Sequence, residues 1–63
     1  MKNNIKIERA RHNISQTDLA NEVGVTRQTI YAIEKGKFDP SIALAFRIAD
    51  ALQIDVNELF LRE

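Results

Sequence analysis

Cysteine and tryptophan are absent, proline, histidine and tyrosine occur once each, glycine twice, and nine basic residues cancel nine acidic ones. Each scarcity removes a class of protein. Without thiols there is no disulfide framework and no thiolate metal site, which fits a reducing compartment. The lone histidine, His12, has no second ligand at a metal-binding spacing and reads as an exposed helix end. No charged-then-apolar leader and no apolar run near a bilayer span occur, so no membrane association is expected and a cytoplasmic location is. Strand signals are missing as well: there is no alternating run and no two-residue hairpin turn. An all-α chain remains. At 63 residues it is expected to form one domain, 1–63, too small for a catalytic pocket, so neither enzyme activity nor a cofactor is expected. Asp50, Asp55 and Glu58 are explained by capping and solvation rather than by a carboxylate site.

What is present centres on Ser15 to Gly36, SQTDLANEVGVTRQTIYAIEKG. Ser15 and Asp18 have capping-box spacing, so a helix starts near Gln16, with Leu19, Ala20 and Val23 as its apolar stripe. Gly24 closes that helix, and Thr26 caps the next, whose inward residues are Ile30 and Ile33. At about 100° per residue, Gln28, Tyr31, Ala32 and Lys35 share the opposite face, with Arg27 and Thr29 on its flanks. Glutamine and arginine match the major-groove edges of adenine and guanine, and alanine lets a helix lie close. The face alone is equally compatible with an ordinary solvated helix surface.

A first helix spans about Ile5 to His12, with Ile5 inward, Ile7, Ala10 and Ile14 lining the same contact, and Glu8 leaning to solvent. Gly36-Lys37-Phe38-Asp39-Pro40 is the strongest break. Beyond it, Asp39 or Ser41 caps a fourth helix running to about Gln53, with Ile42, Ala45, Ile48, Ala49 and Leu52 buried and Leu44 and Phe46 on its flanks. Asp55 caps a short fifth helix to about Phe60, and Leu61 has no obvious internal partner. Charge is polarised along the chain. Met1 to Phe38 holds seven basic against four acidic residues, and the remainder two against five, as a phosphate-facing module requires.

The segments ISQTDLANEVGVTRQTIYAIEKGKFDPS and LQIDVNELF resemble the Cro/C1-type (XRE) helix-turn-helix family of transcription regulators, and the likeness covers nearly the whole chain. The overall pattern is most similar to its short stand-alone members, such as the cytolysin repressor. The resemblance implies a compact five-helix, lambda-repressor-like bundle that binds double-stranded DNA. It also implies roles for particular residues. Arg27 and Gln28 would read bases, with Tyr31 and Ala32 on the same face; Gln16, Thr26 and Thr29 would meet the DNA backbone, as would Lys35, Gly36, Lys37 and Phe38 through side chains and backbone N–H groups. Arg9 and Glu34 would form a structural ion pair. Two departures stand out: Glu8 occupies a usually apolar position, and Ala32 stands where some relatives carry a base-reading amide.

Tyr31 is compatible with stacking, with a phosphate contact or with partial burial, and Phe38 fits a loop anchor better than a wedge between bases. One reading helix covers few base pairs, so a homodimer on a palindromic operator is expected, with Leu61 and Leu44 as candidate contacts near the C-terminal end. The favoured expectation is a sequence-specific repressor. The alternative is an antitoxin or another protein-interaction module with the same fold, which the neutral total charge favours slightly.

Overall fold

A computed structural model describes residues 1–61. Five helices follow in order: α1 (Ile5–His12), α2 (Gln16–Val23), α3 (Arg27–Glu34), α4 (Ile42–Ala51) and α5 (Val56–Leu59). Helices this short are not stable by themselves, so their ends and their packing must hold them. The hydroxyls of Ser15, Thr26 and Ser41 accept hydrogen bonds from the backbone N–H groups of Asp18, Thr29 and Leu44, at 3.0, 3.2 and 3.1 Å. Asp55 caps α5 from Asn57 at 2.8 Å. Each bond satisfies a donor that a helix start otherwise leaves open.

The other ends share one device. Asn13, Gly24, Gly36 and Gln53 all have positive φ, between 55° and 81°. After each, the next N–H reaches back five residues: Ile14 to Arg9, Val25 to Ala20, Lys37 to Ala32 and Ile54 to Ala49, all at 2.9–3.1 Å. Four consecutive helices thus turn sharply while keeping their last carbonyls bonded.

Between the helices, Ile5, Leu19, Ile30, Ile33, Ile48, Leu52 and Leu59 are fully buried. The phase of α4 differs from the expected one. Leu44 is in the core at 6% exposure, while Ile42 is 79% and Phe46 51% exposed. Setting Ile48 inward puts Leu44 and Leu52 beside it on successive turns and carries Ile42 about a third of a turn away. Leu44 is therefore removed from the candidate dimer contacts. The first helix is corrected in the same way: Glu8 is buried, and Ile7 is 59% exposed. Arg11, one turn on, donates to Glu8 Oε2 at 3.2 Å, so the buried carboxylate has a cation at its outer edge.

Strand is present despite the lack of a sequence signal. Lys2–Asn3 (β1) pairs antiparallel with Phe60–Leu61 (β2), Lys2 opposite Leu61 and Asn3 opposite Phe60. Asn4 extends the seam, its N–H reaching Leu59 O at 2.9 Å and its side-chain amide Glu58 O at 3.1 Å. Asn3 caps Ile5 N–H with its carbonyl and donates its amide to Ile33 O near the end of α3, at 3.2 and 2.8 Å.

The orientation of α3 is set by a polar hub. Arg9 Nε donates to Glu34 Oε2 at 2.6 Å and Arg9 Nη2 to Glu34 Oε1 at 3.3 Å, while Nη1 reaches Ile14 O at 3.0 Å. Gln16 Nε2 donates to the same Glu34 oxygen at 3.1 Å. One carboxylate on α3 therefore holds α1 and the start of α2.

Two outcomes are expected in urea and thermal denaturation. Gly24→Ala should destabilise by about 1 kcal/mol, and lower Tm by roughly 4–8 °C, through backbone conformation alone, because an added Cβ meets no atom within 4 Å. Arg9→Ala should cost about 3 kcal/mol or more by stranding Glu34, whose side chain is only 7% exposed; the paired change Arg9→Met with Glu34→Leu should recover much of that loss.

Candidate nucleic-acid interface

Capping by Thr26 brings Arg27 and Gln28 into the first turn of α3, and both are exposed. Burial of Ile30 and Ile33 turns Gln28, Tyr31 and Lys35 outward, with Ala32 half-buried among them. The outward face is divided. Gln28 and Ala32, one turn apart, join Thr26, Thr29 and Phe38 around an open depression of about 280 Å³. Tyr31 and Lys35 face a different notch, which also involves α1 and the start of α2. The Lys35 ammonium lies 5.6 Å from the centre of the Tyr31 ring, within reach of a cation–π attraction.

Gln28 is thus the amide beside a small residue, with Phe38 from the following loop next to both. Thr26 accepts the cap bond from Thr29 N–H, and the two hydroxyl oxygens lie 3.1 Å apart. One hydroxyl hydrogen of the pair remains for an outside acceptor.

The turn after α3 departs from expectation in one respect. The N–H groups of Lys35, Gly36 and Lys37 donate to Tyr31, Ile33 and Ala32 carbonyls, each at 3.0 Å, because closing the helix requires them. They are not available to a phosphate. What this turn offers is the Phe38 N–H, which has no acceptor among the described residues, the Lys35 and Lys37 ammonium groups and the half-exposed Phe38 ring. Among the described residues, Arg27, Lys35 and Lys37 form no ion pair, so their charge faces solvent. Gln16 is committed in part: one amide hydrogen goes to Glu34, leaving the other for a contact outside. Sequence reasoning gave Lys6 no place in the interface. Its closeness to Tyr31 and Lys35 depends on how α1 packs against α3, which no local pattern reveals.

No helix among the described residues is long and apolar enough to cross a membrane. A family model described as helix-turn-helix, HTH_3, matches residues 5–59. An uncharacterized HTH-type transcriptional regulator of Methanocaldococcus jannaschii is 54% identical over 63 residues, which are all of this chain and 96% of that protein. The uncharacterized HTH-type transcriptional regulator YgzD of Bacillus subtilis is 48% identical over 60 residues, 95% of this chain and 91% of its own. Among solved structures, the restriction-modification controller protein C.AhdI of Aeromonas hydrophila superposes with a TM-score of 0.82 at 30% identity, covering 89% of this chain and 85% of that one. A five-helix chain with α2 and α3 joined at Gly24 and this span of likeness belongs to the Cro/C1-type helix-turn-helix family of non-enzymatic, DNA-binding transcription regulators.

Proposed function

We propose that the chain is a homodimeric repressor that reads a palindromic operator with α3 and acts in the cytoplasm. The observation that carries the base-reading half is the pairing of exposed Gln28 with Ala32 beside it, on a helix whose first turn also projects Arg27. Gln28 suits adenine and Arg27 guanine, each in bidentate geometry. Thr26, Thr29, Lys35, Phe38 and the free amide hydrogen of Gln16 border that face and, with exposed Lys37 in the turn after α3, serve the sugar-phosphate chains. Arg9 and Glu34 hold the helix at its angle and touch no DNA. Occupying an operator that overlaps a promoter excludes polymerase, and repression is the effect that occupancy alone achieves.

The dimer half rests on a second surface. Ile42, Ala45, Val56, Phe60 and Leu61, with Met1, Asp39, Pro40 and Asn57, line an open, mainly apolar groove of about 750 Å³ along α4, α5 and β2. Exposed Phe46 lies one turn beyond Ile42. The groove's own lining carries both signs of charge, the Met1 ammonium and the Asp39 carboxylate, which is compatible with a surface that meets its own copy across a two-fold axis. Two-fold pairing sets two reading helices roughly 34 Å apart, one turn of duplex. A protein-interaction role as the main task would use the same groove and leave α3 idle.

Binding measured on a duplex selected from a random pool and on a scrambled one separates these readings. Gln28→Ala should relax discrimination at one base position per half-site by about 1–3 kcal/mol, whereas Lys37→Ala should weaken both duplexes alike. Equal losses from both changes would contradict base reading. In sedimentation at tens of micromolar, the wild type should be a dimer and Ile42→Glu with Phe46→Glu a monomer that keeps its helical circular dichroism. A monomeric wild type would contradict the homodimer.

A further inference from the structure

The notch on the other flank of the outward face of α3 is built unlike the base-reading depression. It has a volume of about 170 Å³ and is lined by Lys6 and Arg9 from α1, Gln16 from α2, and Tyr31, Glu34 and Lys35 from α3. Its inner wall is the hub, where the Glu34 carboxylate is already matched by Arg9 and Gln16. Its charge is balanced before anything enters. The other three residues, Lys6, Tyr31 and Lys35, are all exposed. Among the described residues, neither Lys6 nor Lys35 has a carboxylate partner. Two lysines without a carboxylate partner, one on α1 and one at the end of α3, therefore line a small cleft together with Tyr31.

We propose that this notch seats one backbone phosphate of the bound duplex, held by Lys6, Lys35 and the Tyr31 hydroxyl. The inference rests on the reading of α3 as the DNA-facing helix and adds the grip on its second flank. A phosphodiester presents two free oxygens, and two lysines with a tyrosine lining the same cleft supply the cations and the neutral donor that such a group takes. Tyr31 is accordingly a positioning contact rather than a base reader, because its ring is turned toward Lys35 and away from the Gln28–Ala32 depression. Phosphate contacts of this kind fix register and orientation without carrying sequence information. Lys6 ties α1 to the duplex, so the outward face of the reading helix is braced on both flanks, by this notch and by the Lys37–Phe38 loop.

The test compares wild type, Lys6→Gln, Lys6→Arg and Tyr31→Phe on the pool-selected duplex and the scrambled one, over a range of salt concentrations. Lys6→Gln should flatten the slope of log affinity against log salt by about 0.9 for each chain bound, a change of roughly 3–4-fold per chain between 50 and 200 mM. Affinity at low salt should fall by a similar factor on both duplexes. Lys6→Arg should restore the slope. Tyr31→Phe should weaken both duplexes equally without altering base preference. Ethylation interference should show one phosphate per half-site whose modification impairs wild type but not Lys6→Gln, a signature that a purely structural lysine would not produce. Thermal unfolding should be unchanged, since the Lys6 side chain is exposed.

An unchanged slope and ethylation pattern in Lys6→Gln would overturn the phosphate seat while leaving base reading intact. A loss confined to the selected duplex would overturn it too, by making Lys6 a base contact. If the pool yields no preferred sequence, base reading fails, and the slope on the scrambled duplex alone still decides the phosphate seat. Failure of wild type to bind either duplex would end both.

Discussion

A guanidinium from α1 lies against a carboxylate at the end of α3, with the amide that opens α2 on one of its oxygens, and the placement of α3 depends on this contact. Arg9, Glu34 and Gln16 come from three helices of eight residues each, none long enough to persist unaided. Apolar packing of Ile30 and Ile33 decides which side of α3 faces the core, but packing is non-directional and leaves some freedom to slide or tilt. A fork of two hydrogen bonds at 2.6 and 3.3 Å removes it. Such a pair contributes geometric definition more than net stability, because taking both charges out of water offsets most of their attraction.

The ends of the helices complete that definition. Asn3 donates to a carbonyl near the end of α3, and the Gly36 turn folds the N–H groups of Lys35, Gly36 and Lys37 back onto the same helix. The last turn of α3 is therefore closed on itself, and only side chains project from it. This division of labour has a functional side. A helix that spends its own backbone groups on its termination presents side chains to a partner, with Gln28 and Ala32 toward one depression and Tyr31 and Lys35 toward another. The apolar groove formed by α4, α5 and β2 uses a different set of residues, so a second copy and a duplex need not compete for one surface.

What was legible in the sequence was local chemistry. Ser15 and Thr26 announce helix starts, Gly24 and Gly36 announce ends, and Ile30 with Ile33 fixes the outward face of α3 by spacing alone. Where local chemistry was ambiguous, the reading slipped. Helix α4 carries Ile42, Leu44, Phe46 and Ile48 within seven residues, so its apolar pattern runs nearly all round and periodicity could not choose the inward phase. Gln53 takes a left-handed turn that glycine or asparagine would have advertised. The β1–β2 ladder joins residues almost the whole chain apart and rests on backbone bonds, to which side-chain patterns are blind. Of the candidate interface, the exposure of Arg27 and Gln28 on the first turn of α3 was legible by type and position. The division of the α3 face and the nearness of Lys6 to Lys35 were not, because both come from the packing of α1 rather than from any spacing along the chain.

The central claim is that Arg27, Gln28 and Ala32 meet base edges while the groove of α4 and α5 stays clear of DNA. Titration of the isotopically labelled protein with the selected duplex, followed by nuclear magnetic resonance, tests it most directly. Large shifts and intermolecular contacts to base protons are expected at the Gln28 amide, the Arg27 guanidinium and the Ala32 methyl group, with Ile42 and Phe46 unmoved. Contacts confined to the Ile42 and Phe46 side of the molecule, with the α3 side chains unaffected at saturating DNA, would contradict it.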